Sequence, residues 1–329
     1  MAFFTLRFDL RNPPAAGTSM AERYQAALDM AEWADEVGFV MIVLSEHHGS
    51  DDGYLPSPLT MAAAMAARTR QVRIMVAALV APFYDPLRLA EDAAVVDNLS
   101  GGRLDLVVGA GYVPSEFEMF GVGMDERVRR SEEAITTLRN AWTGEPFEHR
   151  GRTVRVTPVP CQPGGPTVMM GGSSEGAARR AARLGIGFMP TDGGVWEVFR
   201  AETIALGRPD PGPYLGGDTS FVHLARDVEQ GWDQIAPFAL HEASSYGRWL
   251  ASGGQGVASS YRPFESVAEL RASGQYRVVR PEELVDELSG PGLRSLAVHP
   301  MMGGIPPKVA WESLRLLEQE VIPRLPANG

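Results

Sequence analysis

The feature that most limits the fold is a repeat of about 40 residues in which a short apolar run is followed by an amphipathic stretch. Apolar runs rich in β-branched residues read as strands covered on both faces, and stretches with helical spacing read as their covering helices. The runs are Ala2 to Phe8, Met41 to Leu44, Val72 to Val80, Arg103 to Val108, Thr167 to Met170, Ile186 to Met189, Ser220 to Ala225 and Arg294 to His299. Between them lie helices with clear signals. Ser19 and Glu22 form a capping box, with Met20, Tyr24, Leu28 and Ala31 at helical spacing after it. Ala134, Ile135, Leu138 and Trp142 make one stripe, and Ala310, Leu314, Leu317 and Val321 another. Eight strands alternating with helices predict a (β/α)8 TIM barrel in a single domain spanning 1–329. No Gly-x-Gly-x-x-Gly follows the first strand, which argues against a dinucleotide-binding open sheet.

Two stretches break the period. Phe147 to Pro158 reads as a hairpin outside the repeat. Residues 227–283 are longer than one unit needs and contain a Gly/Ser-rich segment at 251–260, so they are expected to form a lid or mobile insertion.

Charge and composition narrow the partners. The net charge is -11, and no basic run occurs, which excludes nucleic acid and anionic membrane surfaces as general ligands. No apolar run is long enough to cross a membrane. The N-terminus lacks signal-peptide form, and the single cysteine, Cys161, suits a reducing compartment; a cytoplasmic protein is expected.

In a barrel the chemistry collects at the C-terminal ends of the strands. The second strand ends in Glu46, His47 and His48, three groups that are costly to desolvate unless used. Phe83 and Tyr84 follow the third strand and His299, Met301 and Met302 the eighth; these are candidates for substrate-pocket walls. Gly109 and Gly111 leave room for a flat ring against backbone. Gly171, Gly172, Ser173 and Ser174 join a strand to a helix start, where free N–H groups and the helix dipole favour a phosphate; the bland alternative is a tight turn with a serine cap. Arg179, Arg180 and Arg183 follow on that helix. Because His47 and His48 are adjacent, their side chains point apart in an extended chain, which does not suit one metal ion; no metal is expected, although His223 and His299 are available. His149 and His241 read as surface histidines.

These motifs together resemble the bacterial luciferase-like flavin-dependent oxidoreductases. The resemblance rests on Ser45 to His48, on Gly101 to Gly111 followed by Glu116, Phe117, Phe120 and Gly121, on Gly171 to Ser174 with Arg180 to Gly185, and on Trp311 to Leu314 with Val321 to Pro323. It covers most of the chain and is weakest between about 195 and 280. It implies a TIM barrel binding reduced FMN, or deazaflavin F420, at its mouth, usually as a homodimer. Ala78, Gly109, Ala110, Gly111, Tyr112 and Gly171 to Ser174 would be the cofactor-binding residues, and His47 would be the active-site acid or base, with His48 and Glu46 beside it. Histidine suits that role because its pKa lies near working pH.

The chain also departs from the pattern. An arginine of bacterial luciferase that meets the flavin phosphate aligns with Ala110. The acid of F420-dependent sugar-phosphate dehydrogenases aligns with Tyr112, and their Asp-His pair with Glu46 and His47. The expected activity is therefore a monooxygenase using reduced FMN, O2 and a small organic substrate, with the flavin supplied by a separate reductase. The alternatives are F420-dependent hydride transfer and a non-catalytic flavin-binding barrel.

Overall fold

The computed structural model describes residues 2–216, 221–253, 263–290 and 294–326. Seven parallel strands form one curled sheet. In spatial order these are β11 (Arg294–Val298), β1 (Ala2–Phe8), β2 (Met41–Leu44), β3 (Arg73–Val80), β4 (Leu104–Gly109), β7 (Thr167–Gly172) and β8 (Gly187–Pro190). A separate parallel pair, β9 (Phe221–Leu224) with β10 (Tyr276–Val279), stands next to β11 and continues the wall. The antiparallel hairpin β5 (Phe147–His149) and β6 (Arg152–Val154) lies outside the repeat, as its turn residues predict. The architecture is thus a TIM-type half-barrel, and each of the eight expected strands is present.

The covering helices are α1 (Met20–Glu36), α2 (Pro58–Arg68), α3 (Pro86–Ser100), α4 (Pro114–Phe120), α5 (Arg127–Ala141), α6 (Glu175–Leu184), α7 (Gly193–Ala205), α8 (Val228–Ser252), α9 (Val267–Ala272), α10 (Pro281–Leu288) and α11 (Pro307–Leu316). The capping box of α1 forms: Ser19 N–H donates to Glu22 Oε2 at 2.7 Å, and Glu22 N–H donates to Ser19 Oγ at 3.2 Å. Its buried face differs from the predicted stripe, however. Ala27, Met30, Ala31 and Ala34 turn inward, while Met20, Tyr24 and Leu28 are only half-buried. Small alanines let the helix approach the sheet closely, and the larger side chains fill its flanks.

The stretch 227–283 departs most from expectation. Its described residues form regular structure: α8 packs against β10 and the turn at Met302–Gly304. β10 was not anticipated, because its Arg277 interrupts a very short apolar run. The Gly/Ser-rich segment lies outside the described residues from 254 onward. No helix among the described residues is long and apolar enough to cross a membrane.

Arg103 shows how a buried charge knits the repeat together. It sits just before β4 and donates to Ser100 O, Thr69 Oγ1, Val72 O, Ala66 O and Thr69 O at 2.6 to 3.1 Å. The loop after α2 and the end of α3 are thereby held to one side chain. Replacing Arg103 with Met would leave several buried acceptors unmet, and should destabilise the protein by about 3 kcal/mol in urea unfolding.

Candidate active site

The triplet Glu46, His47 and His48 leaves β2 at the mouth of the sheet, and the structure divides it in two. His47 turns toward α4, where its Nδ1 lies 2.8 Å from Glu116 Oε1. A carboxylate oxygen only accepts, so Nδ1–H donates to Glu116 and Nε2 is the nitrogen left for other partners. Glu116 Oε1 also accepts from the backbone N–H of His48 at 2.8 Å. His48 and Glu46 turn the other way and bond to each other, Nε2 to Oε1, at 2.8 Å. Glu46 further accepts from Val80 N–H at 2.8 Å and from Tyr84 O–H at 2.9 Å. Both its oxygens are thus occupied, and it holds the ends of β2 and β3 together instead of facing the site.

Aromatic rings enclose His47. Trp249 stacks on the imidazole with centroids 4.2 Å apart at 30°. Tyr54, Tyr112 and Tyr246 meet it edge-on at 4.9, 5.7 and 5.9 Å. Tyr112 Oη lies 3.5 Å from His47 Nε2. Behind this box lies Arg11, fully buried, whose guanidinium carbon stands 4.7 Å from the Tyr54 and Trp249 rings and 5.1 Å from Tyr246. Arg11 Nη1 donates to Asp52 Oδ2 at 2.6 Å, and the same oxygen is 2.6 Å from His241 Nε2. Burial pushes the phenols of Tyr54 and Tyr246 well above the usual tyrosine range, which keeps both as neutral donors. They share a bond of 2.8 Å.

The glycines predicted to face the cofactor come from the ends of β4 and β7 and converge on Ala78 of β3. The β3–β4 ladder slips by one residue between Ala77 and Leu79, and the Ala77–Ala78 peptide is cis. Any Cβ at Gly109 would stand 2.9 Å from Ala78 Cβ, and one at Gly171 would stand 3.0 Å from Val107 Cγ1. Gly111 adopts φ +73° and lies against Val80 and Phe117, with 2.9 Å from a hypothetical Cβ to Val80 Cγ1. Side chains of Ala78, Val107, Val80 and Phe117 already fill the space that a Cβ would take, so close packing of the strand ends requires glycine here. Ser174 caps α6 by accepting from Ala177 N–H at 3.3 Å, and Ser173 precedes it at the same helix start. Arg179 and Arg180 are directed elsewhere, to Glu175 and Glu132.

Other predicted residues lie apart. Phe83 stacks on Phe120 at 4.6 Å, and His48 meets both rings edge-on. Phe83 and Phe120, with Tyr84, Arg130 and Arg150, line a hollow of about 250 Å³. Met301 is buried, and its carbonyl accepts from Arg23 Nη2 at 3.1 Å. His299 is buried beside Asp9 and Glu242. His223 is buried on β9, where desolvation lowers its pKa to about 4. The two histidines read as surface residues are not surface residues: His149 is buried near Thr137, and His241 is half-buried on Asp52. Each lies on an element whose inward face only the tertiary fold defines.

Sequence reasoning passed over Arg11, Asp52, Tyr54, Tyr246 and Trp249, and quoted Glu116 without a role. Arg11 was within reach, because it follows the first strand as Glu46 follows the second. Tyr246 and Trp249 were not, since nothing local says where α8 docks.

This geometry agrees with comparisons to known proteins. Residues 3–288 match the luciferase-like monooxygenase family model, and the chain belongs to that family. It is 33% identical to the uncharacterised protein y4wF of Sinorhizobium fredii over 71% of this chain and 69% of that one. It is 30% identical to the FMNH2-dependent dimethylsulfone monooxygenase of Pseudomonas putida, over 61% of this chain and 58% of that protein. Among solved structures, monooxygenase RslO1 from Streptomyces bottropensis superposes with a TM-score of 0.76 at 26% identity, covering 98% of this chain and 99% of that one.

Asp52 generates a pH-dependent prediction. Burial works against its charge, but the His241 bond and the Arg11 charge outweigh burial and hold its carboxyl well below the usual range. Because the folded pKa is depressed, the stabilisation is complete above the unfolded value near 4 and disappears as pH falls below it. Asp52→Asn should cost about 3 kcal/mol at pH 7, chiefly by leaving Arg11 buried without its partner. Urea unfolding should show the gap to wild type unchanged at pH 5 and closing below pH 4.

Proposed function

We propose that this protein is the oxygenase of a flavin-dependent monooxygenase system, using reduced FMN and O2 on a small organic substrate. The observation that carries this reading is the His47–Glu116 pair, which fixes the imidazole at the mouth of the sheet with its Nε2 beside Tyr112 Oη. The FMNH2 dependence of the Pseudomonas relative supports the choice of cofactor.

Ala78, Gly109, Ala110, Gly111 and Tyr112 would hold the ring system, and Gly171, Gly172, Ser173 and Ser174 its phosphate. When bound, the reduced flavin supplies the electrons for oxygen chemistry. The chain's own groups do the rest. Glu116 fixes the tautomer of His47 and stabilises the imidazolium that forms when Nε2 takes a proton. Tyr112 O–H stands next to that nitrogen. Trp249, Tyr54 and Tyr246 keep water from the imidazole, which strengthens its interaction with Glu116. Glu46 and His48 position the strand ends and touch no reacting atom. In this reading the 227–283 stretch acts as the lid of a single 1–329 domain, a separate reductase delivers the flavin, and the enzyme works as a cytoplasmic homodimer.

Anaerobic titration with reduced FMN and, separately, reduced F420 tests the cofactor. Saturable binding of reduced FMN, with oxygen consumed on aeration, is the expected result; binding of F420 alone would replace monooxygenation with hydride transfer, and binding of neither would overturn the reading. His47→Ala should abolish substrate oxygenation while leaving FMN affinity within about threefold, a loss in line with removing an acid–base group. Glu116→Gln should lower kcat by about 100-fold with KM nearly unchanged, because it acts only through the orientation and charge of His47.

A further inference from the structure

A second group of chemistry-bearing side chains lies at the mouth, and the flavin reading makes no use of it. Asp9 follows β1, His299 follows β11, and Glu242 projects from α8. All three are buried, and one donor atom from each lies within 4.8 Å of the other two. His299 Nε2 stands 3.7 Å from Asp9 Oδ2, and His299 Nδ1 stands 3.8 Å from Glu242 Oε1. Neither gap is a hydrogen bond. Among the described residues, Glu242 Oε1 and His299 Nε2 have no hydrogen-bond partner. Buried polar atoms rarely go unpaired, and facing lone pairs repel unless a positive centre lies among them.

The remaining oxygens are held in place. Tyr276 O–H donates to Glu242 Oε2 at 2.8 Å. Backbone N–H groups of Arg11 and Gly303 donate to Asp9 Oδ1 and Oδ2 at 3.1 and 3.3 Å. Bonds of this kind orient carboxylates around a metal. One ion takes only one nitrogen of the imidazole, and with one donor atom from each residue the three lie within 4.8 Å of one another, a spread that an ion drawing its ligands inward would close. A doubly protonated imidazole is the rival positive centre, but its N–H groups would draw the carboxylates to about 2.8 Å. Two arginine charges lie near: Arg11 brings its Nε to 3.6 Å from Asp9 Oδ2, and Arg7 acts on Glu242, but neither donates a hydrogen bond to Glu242 Oε1.

We infer that Asp9, Glu242 and His299 form a site for a divalent transition ion, Zn2+ or Mn2+, that ties the ends of β1 and β11 to α8. Two carboxylates and one imidazole are the donor set such borderline ions accept. The ion would fix the helix that carries Tyr246 and Trp249 to His47. This assignment does not depend on the flavin reading.

The test is metal retention by the full chain. Protein stripped with EDTA is incubated with ZnCl2 or MnCl2, desalted, and analysed for bound metal and melting temperature. Wild type should retain about one ion per chain and melt several degrees higher. Glu242→Gln and His299→Gln should each retain less than about a tenth of that and show no rise in melting temperature. Tyr276→Phe keeps all three ligands but frees Glu242, and should bind several-fold more weakly; it also serves where a ligand variant fails to fold. Wild type that retains no metal would overturn the inference and leave a proton between the three groups. Equal retention by the folded ligand variants would overturn it as well, placing the ion elsewhere. Titration of the same samples with reduced FMN reports on the flavin site separately.

Discussion

The candidate site depends on one desolvated charge. Arg11 is fully buried at the mouth of the sheet, where an unpaired guanidinium would be prohibitively costly. Its position is tolerated because the carboxylates of Asp52 and Asp9 flank it and Tyr54, Tyr246 and Trp249 cover its faces. Those three rings are also the ones that enclose His47. The chain between β2 and α2 contributes Asp52 and Tyr54, and α8 contributes Tyr246 and Trp249, although nearly 200 residues separate Tyr54 from Tyr246. One cation thus makes the loop after β2 and a distant helix adopt a mutually consistent arrangement.

Around that cation the ionisable groups have separate tasks. The carboxylate of Glu116 is spent on His47 and on the backbone of His48, so it sets a tautomer. Glu46 is spent on two strand ends and a tyrosine, so it sets a distance between β2 and β3. Two acids of the same type at one mouth therefore differ in role because of the donors that reach them. The glycine patch completes the division. At Gly109, Gly111 and Gly171 the strand ends and Phe117 pack too closely for any side chain.

Much of this was legible in the sequence. The repeat exposed all eight strands, and the capping box at Ser19 and the hairpin around Arg150 formed as read. Those signals are local, so the backbone obeys them with little help from elsewhere. The convergence of Gly109 and Gly171 near Ala78 was legible for a similar reason, since strand ends in a parallel sheet share one edge. β10 was missed because four residues interrupted by an arginine carry too little pattern.

By itself, the sequence determined the order of strands and helices, the edge on which chemistry collects, and the presence of a titratable histidine there. Periodicity and strand-end position are properties of neighbouring residues, and they survive without knowledge of the fold. Only the tertiary structure decided that Glu116 rather than Glu46 partners His47, that Trp249 covers it, and that His241 and His299 face buried carboxylates. Each of those pairings joins residues far apart in the chain. Which of them forms depends on how α4 and α8 dock, and docking is settled by the packing and desolvation of the whole core.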